Sequence, residues 1–136
     1  MGYELRDHTA DVAVEATGAT LSAVFGAVAD GLAATMCDRV PDRGERFQLT
    51  VRAESREALL FDYLDQLIYE RDVRNVLPVD NEAAVGRDAD DWTVTASARG
   101  VPLELVDARE IKAVTYSEMD LSRTDDGWHA YVVFDV

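Results

Sequence analysis

The sequence predicts an α+β fold: a mostly antiparallel sheet with two helices packed on it, in one domain spanning residues 1–136. Two stretches repeat apolar residues at helical spacing, each preceded by a hydroxyl residue suited to cap it. Several others alternate apolar and polar residues at the period of two that marks half-buried strands. The order is strands, helix, strand, helix, then strands to the end. That order lacks the regular strand–helix alternation of a parallel sheet.

Tyr3 to Asp7 and Val12 to Ala16 read as strands around the link His8-Thr9-Ala10-Asp11. In the second, Val12 and Val14 alternate with Ala13 and Glu15. After the turn Thr17-Gly18-Ala19-Thr20, the Thr20 hydroxyl is placed to accept a backbone N–H of the first helical turn. Leu21, Val24, Phe25, Val28, Leu32 and Met36 form that helix's apolar stripe, which runs to about Cys37. Pro41 to Glu45 is a turn. In the next strand Phe47, Leu49 and Val51 face one way and Gln48, Thr50 and Arg52 the other. Ser55 caps a second helix, with Glu57 in its first turn favoured by the helix dipole. Leu60, Leu64, Leu67, Ile68 and Arg71 set its stripe, Tyr63 flanks it, and it ends near Asp72. Val76 to Gly86 holds one strand, Arg87 to Asp91 an acidic hairpin turn, and Trp92 to Ala98 a further strand that Gly100-Val101-Pro102 is expected to break. Leu103 to Glu110 fits either an edge strand or a loop. Ala113 to Asp120 and Trp128 to Asp135 are the last strands, joined by Ser122 to Gly127. No internal repeat or linker is visible.

Hydrophobic residues make up 48% of the chain, enough for a real core. Seventeen Asp and ten Glu face twelve Arg and one Lys, a net charge of -14. An Asp-rich surface almost without lysine suits very high salt, where charges are screened within about 3 Å at 1 M. In dilute buffer the same surface repels itself. The charge argues against a direct grip on nucleic acid, which needs a basic patch, and favours cations or a basic protein partner. Cys37 is alone, so no intrachain disulfide forms, which fits a reducing cytoplasm. The N-terminus lacks the pattern of a signal peptide, and no apolar run approaches a membrane span. A cytoplasmic location is the expectation.

The single lysine, Lys112, is the first candidate functional residue, since an ammonium is a compact point charge that arginine does not replace. Asp11 ends a tight link between strands, Asp135 ends the last strand, and Val136 adds a terminal carboxylate close to it. If these meet, hard oxygen ligands converge as calcium requires. His8, three residues before Asp11, would add an imidazole; its plainer reading is a loop histidine bonded to backbone. His129 reads as a surface residue. Lys112 and Glu118 share a face if one strand runs through both. No phosphate-binding glycine loop, zinc spacing or nucleophile elbow is present, and Ser117 and Ser122 have no visible base partner. The aromatics Tyr63, Tyr69, Trp92 and Trp128 read as core or near-surface residues rather than a base-stacking platform.

Four ordered segments together resemble the archease family: His8-Thr9-Ala10-Asp11 with the helix at Thr20-Leu21 and Ala27 to Leu32; Leu59 to Tyr69; Ile111 to Tyr116 with Glu118-Met119; and the ending Val132 to Val136. The stretch Glu82 to Arg109 departs most from the family's text and carries no motif. The resemblance implies a small cytoplasmic, non-enzymatic activator of the tRNA-splicing RNA ligase, which joins tRNA exon halves using GTP and a divalent metal. Archeases promote guanylylation of that ligase, allowing repeated turnover, and are linked to a tRNA methyltransferase with chaperone-like behaviour. The resemblance also implies a divalent ion, calcium above all, held by Asp11, Asp135 and Val136. It marks Lys112 as the functional lysine, with Glu118 as a weaker carry-over and His8 beside them in the first motif. Two other readings stay open: a metal-dependent hydrolase using His8, Asp11 and Asp135, and an acidic protein-binding module that needs no metal.

Overall fold

The computed structural model describes residues 2–7 and 11–136, without the side chains of residues 6 and 7. The chain runs β1 (Tyr3–Asp7), β2 (Asp11–Gly18), α1 (Leu21–Met36), β3 (Glu45–Ala53), α2 (Arg56–Arg74), β4 (Val76–Asp88), β5 (Asp91–Pro102), β6 (Ala113–Thr124) and β7 (Gly127–Asp135), with a short 3-10 turn at Leu103–Leu105. Every strand pairing is antiparallel.

Both helix starts follow the capping logic. Thr20 Oγ1 accepts the Ala23 N–H at 3.0 Å, and Ser55 Oγ accepts the Ala58 N–H at 3.1 Å. Helix α2 runs two residues past Asp72 and closes at Asn75, whose φ of 54° provides the left-handed cap.

The strands form two sheets rather than one. A four-stranded sheet has the order β1-β2-β7-β6, and a three-stranded sheet the order β3-β5-β4. Helix α1 packs on β2 and β4, and α2 on β3 and β6, so each helix bridges both sheets. A shared core results, with Val14, Val24, Phe25, Leu32, Leu60, Tyr63, Leu64, Leu77, Ile111 and Phe134 fully buried in it. Phe25 and Tyr63 stack at 5.9 Å across the helix–helix seam.

Strand β5 does not break at Gly100-Val101-Pro102. It continues to Pro102, paired with Val76, and Val101 is wholly buried. Proline is tolerated because it closes the strand, and Gly100 leaves room for the Val76 side chain, whose Cγ2 would lie 3.0 Å from an added Cβ. The acidic turn shrinks to Ala89-Asp90, since β4 extends to Asp88. Leu103 to Glu110 resolves as the 3-10 turn followed by loop. Strand β6 extends to Thr124 and carries an irregularity between Thr115 and Asp120.

Candidate functional site

One end of the four-stranded sheet gathers most of the residues singled out from the sequence. Asp11 opens β2 and Asp135 closes β7, and the two are direct cross-strand partners. Ala113, opening β6, is also in register with Asp135. Directly opposed residues on neighbouring strands project from the same face, so both carboxylates belong to one surface. Lys112 lies one step before β6, and its backbone N–H donates to Asp135 O at 2.8 Å. The chain's only lysine is therefore tethered to the strand end carrying Asp135. Its side chain is exposed, Asp11 is half-buried and Val136 follows at the rim. His8 lies outside the described residues.

Glu118 does not join this group by strand parity. Between Thr115 and Asp120 strand β6 advances by more residues than β7, which passes only from Val133 to Tyr131. Glu118 sits in this bulge with a left-handed φ of 61° and is exposed. The alternation that would place it on the face of Lys112 is interrupted there. Beside the bulge Tyr116 stacks on Phe61 of α2, centroids 4.1 Å apart and rings 6° from parallel. Partial burial and the Asp62 carboxylate push the Tyr116 phenol above its ordinary range.

Two polar clusters were not anticipated. The first is His129, which is not a plain surface residue. Its Nε2 lies 2.9 Å from Glu15 Oε2 and its Nδ1 3.0 Å from Asp120 Oδ2, linking β7 to β2 and β6. The Glu15 hydrogen bond, helped by Asp120 and opposed by partial burial, raises its pKa. The signal was faint: Glu15 and His129 both occupy outward positions, but only their diagonal pairing brings them together. Ser122 Oγ donates to the same Asp120 carboxylate at 3.0 Å. The carboxylate thus stands between hydroxyl and imidazole, so this is not an activated-serine arrangement. The second cluster surrounds Asp30, the one charged residue of α1, a signal the sequence did carry.

The strand-end group supplies oxygen donors: two carboxylates from side chains and the main chain at Val136. That set suits a hard cation, which prefers oxygen. Among the described residues no group of three or more His, Cys, Asp or Glu is clustered for metal binding. No described helix is long and apolar enough to cross a membrane.

Comparison with known proteins gives one consistent result. A family model described as the Archease protein family matches residues 3–136. The chain is 32% identical to Protein archease of Methanosarcina barkeri over 98% of its own length and 95% of that protein. It is likewise 32% identical to Protein archease of Thermococcus gammatolerans, covering 98% of each. A solution structure of a Methanobacterium thermoautotrophicum protein superposes with a TM-score of 0.87 at 28% identity over 99% of both chains. The crystal structure of a Thermotoga maritima archease, described as a possible chaperone, superposes with a TM-score of 0.64 at 25% identity over 98% of this chain and 96% of that one.

Proposed function

The chain belongs to the archease family, and from that premise we propose that it works as a non-enzymatic activator of a GTP-dependent, tRNA-splicing RNA ligase, promoting the ligase's guanylylation and its repeated turnover in the cytoplasm. A role exerted on a protein partner agrees with the description of the Thermotoga maritima relative as a possible chaperone. The observation that supports this reading most is the tether between Lys112 and Asp135 beside the paired Asp11. It brings the backbone of the lysine to the sheet end where the two aspartates are paired.

Asp11, Asp135 and Val136 are the residues that would hold a divalent ion, calcium by its preference for carboxylate and carbonyl oxygen. When bound, the ion supplies positive charge that offsets the two carboxylates and leaves Lys112 as an available cation. The chain's own part is to fix these groups on strand ends, where backbone pairing limits their motion. Lys112 would then meet an anionic group of the partner as a point charge. Glu118, on the neighbouring bulge, and His8 are the further partner-facing candidates. An acidic surface with one lysine also agrees with a protein adapted to high salt.

The test is reconstitution with the ligase, counting ligated products per ligase molecule. Lys112→Ala and Asp11→Ala are each expected to retain wild-type circular dichroism yet leave the ligase at a single turnover. Full activation by both variants refutes the reading. Activation that survives chelation would favour a metal-free acidic binding module, and phosphoester turnover without any ligase would favour a hydrolase.

A further inference from the structure

Along the β2–β7 ladder Asp11 meets Asp135 at one end, and Gly18 meets Trp128 at the other. Trp128 is also in register with Arg123, and in the second sheet Trp92 is in register with Arg87. Two residues further along their strands, Ala130 and Val94 are wholly buried. By strand alternation both tryptophans therefore project from the core-facing side of their sheets. Arg56, the first residue of α2, joins them: its Cζ lies 5.6 Å from the Trp92 ring centroid and 5.1 Å from that of Trp128. Arg87 lies 4.8 Å over Trp92, and Arg123 lies 5.7 Å over Trp128. The result is one row, Arg87, Trp92, Arg56, Trp128 and Arg123, running from one sheet to the other. Folding thus gathers basic groups that the sequence scatters.

A guanidinium that lies over an aromatic ring uses its face there and keeps its in-plane N–H fork for an oxyanion. Among the described residues no hydrogen bond or ion pair engages the guanidinium groups of Arg56, Arg87 or Arg123, in a chain with twenty-seven acidic residues. Asp88 and Asp91 adjoin Arg87 and Trp92 in sequence, so they project from the opposite face of the hairpin, where both pair with Arg52. Arg87 and Arg123 are exposed, and each lies over one ring only. Each therefore has a second face open to another planar group. The tryptophan rings are not that surface, since guanidinium groups already lie over them. Open in-plane donors call for phosphate, and an open guanidinium plane calls for a nucleobase, which stacks on arginine as it does on aromatic rings. An acidic peptide supplies the anion but no planar base.

We propose that this row is a binding site for single-stranded nucleic acid, in which Arg87 and Arg123 stack bases at its two ends and the three forks hold phosphates. It lies at the opposite end of the β2–β7 ladder from the Asp11–Asp135 pair and stands independently of the proposed action on a ligase. The net charge of -14 repels a strand at long range, and the exposed Glu57, Asp90, Asp125 and Asp126 add to that repulsion nearby. Salt screens it within about 3 Å at 1 M, while stacked planes in contact keep their hold.

Both tryptophans of the chain lie in the row, so intrinsic fluorescence reads the site directly. The test is titration of the full chain with single-stranded oligoadenylate, as RNA and separately as DNA, in the least potassium chloride that keeps its folded circular dichroism. A saturable change in tryptophan emission is expected. Affinity, read for the variants from the anisotropy of a labelled strand, should fall roughly tenfold or more in Arg87→Gln/Arg123→Gln. It should change little in Arg39→Gln/Arg43→Gln, which removes the same charge from exposed positions elsewhere. If the first pair fails to fold, Arg87→Lys/Arg123→Lys serves instead: it keeps the charge, removes the plane and should also weaken binding. Saturation by one of the two strands or by both assigns the sugar that the site accepts. Equal loss in the two glutamine pairs, equal saturation by polyglutamate or by inorganic phosphate, or the absence of any saturable response overturns the proposal.

Discussion

Replacing His129 with Gln removes an imidazole held between carboxylates of two flanking strands, at 2.9 Å from Glu15 and 3.0 Å from Asp120. Both bonds favour the protonated ring, so its pKa in the folded protein lies above the ordinary 6.5. A raised folded pKa means that the native state binds the proton more tightly than the unfolded chain. The stabilisation is therefore fully present below about pH 6.5 and is lost as pH rises through the folded value. Buried hydrogen bonds to charged groups contribute about 1.5–3 kcal/mol each. The His129 side chain is 26% exposed and its partners 30% and 50%, so screening lowers the pair to about 1–2 kcal/mol in total. At about 2.1 cal/mol/K per residue, the chain's unfolding entropy is about 0.29 kcal/mol/K, and the expected loss in Tm is about 3–7 °C. The assay is thermal unfolding of wild type and His129→Gln from about pH 6 to about pH 9 at fixed salt. The gap should be widest at the acid end and narrow steadily with rising pH. A gap independent of pH, or one that widens, refutes the reasoning.

The two central glycines of α1 should respond oppositely to Ala. At Gly26 an added Cβ meets only Asn81 O at 3.4 Å, so Gly26→Ala is expected to stabilise by about 0.5–1 kcal/mol in chemical denaturation. At Gly31 it would collide with Val14 Cγ1 and crowd the Tyr3 ring at 3.2 Å, and a loss of about 1–3 kcal/mol is expected. The Tyr63 hydroxyl is buried without a hydrogen-bond partner among the described residues. Tyr63→Phe should therefore equal or exceed wild-type stability, and a loss above about 1 kcal/mol would show that the hydroxyl has a partner. With a net charge of -14, the unfolding midpoint should rise with potassium chloride; a flat or falling salt dependence would contradict a self-repelling surface.

The elements themselves were legible because their causes are local. Thr20 and Ser55 announce the helices they cap, and the stripe from Leu21 to Met36 follows from one helical period. Alternation at Phe47, Leu49 and Val51 is likewise the signature of one strand against one core. Where a local rule ran against burial, burial won: Pro102 ends β5 instead of Ala98, since Val101 has a place in the core. The bulge at Glu118 follows no local rule that the sequence displays. A register shift depends on two strands at once, and parity within β6 alone misplaced that residue relative to Lys112.

The sequence by itself determined the α+β class, the caps, the family resemblance and the choice of Asp11, Asp135 and Lys112 as residues of interest. Tertiary structure alone decided what stands beside what. The division into two sheets, the pairing of Asp11 with Asp135, the placing of His129 between Glu15 and Asp120, and the brace from Asp30 to Asn81 all join residues distant in the chain. Periodicity reports which face of an element is buried, because each residue's neighbours three, four or two positions away share its environment. It carries no record of which element lies opposite, since that choice is settled by packing the whole core at once.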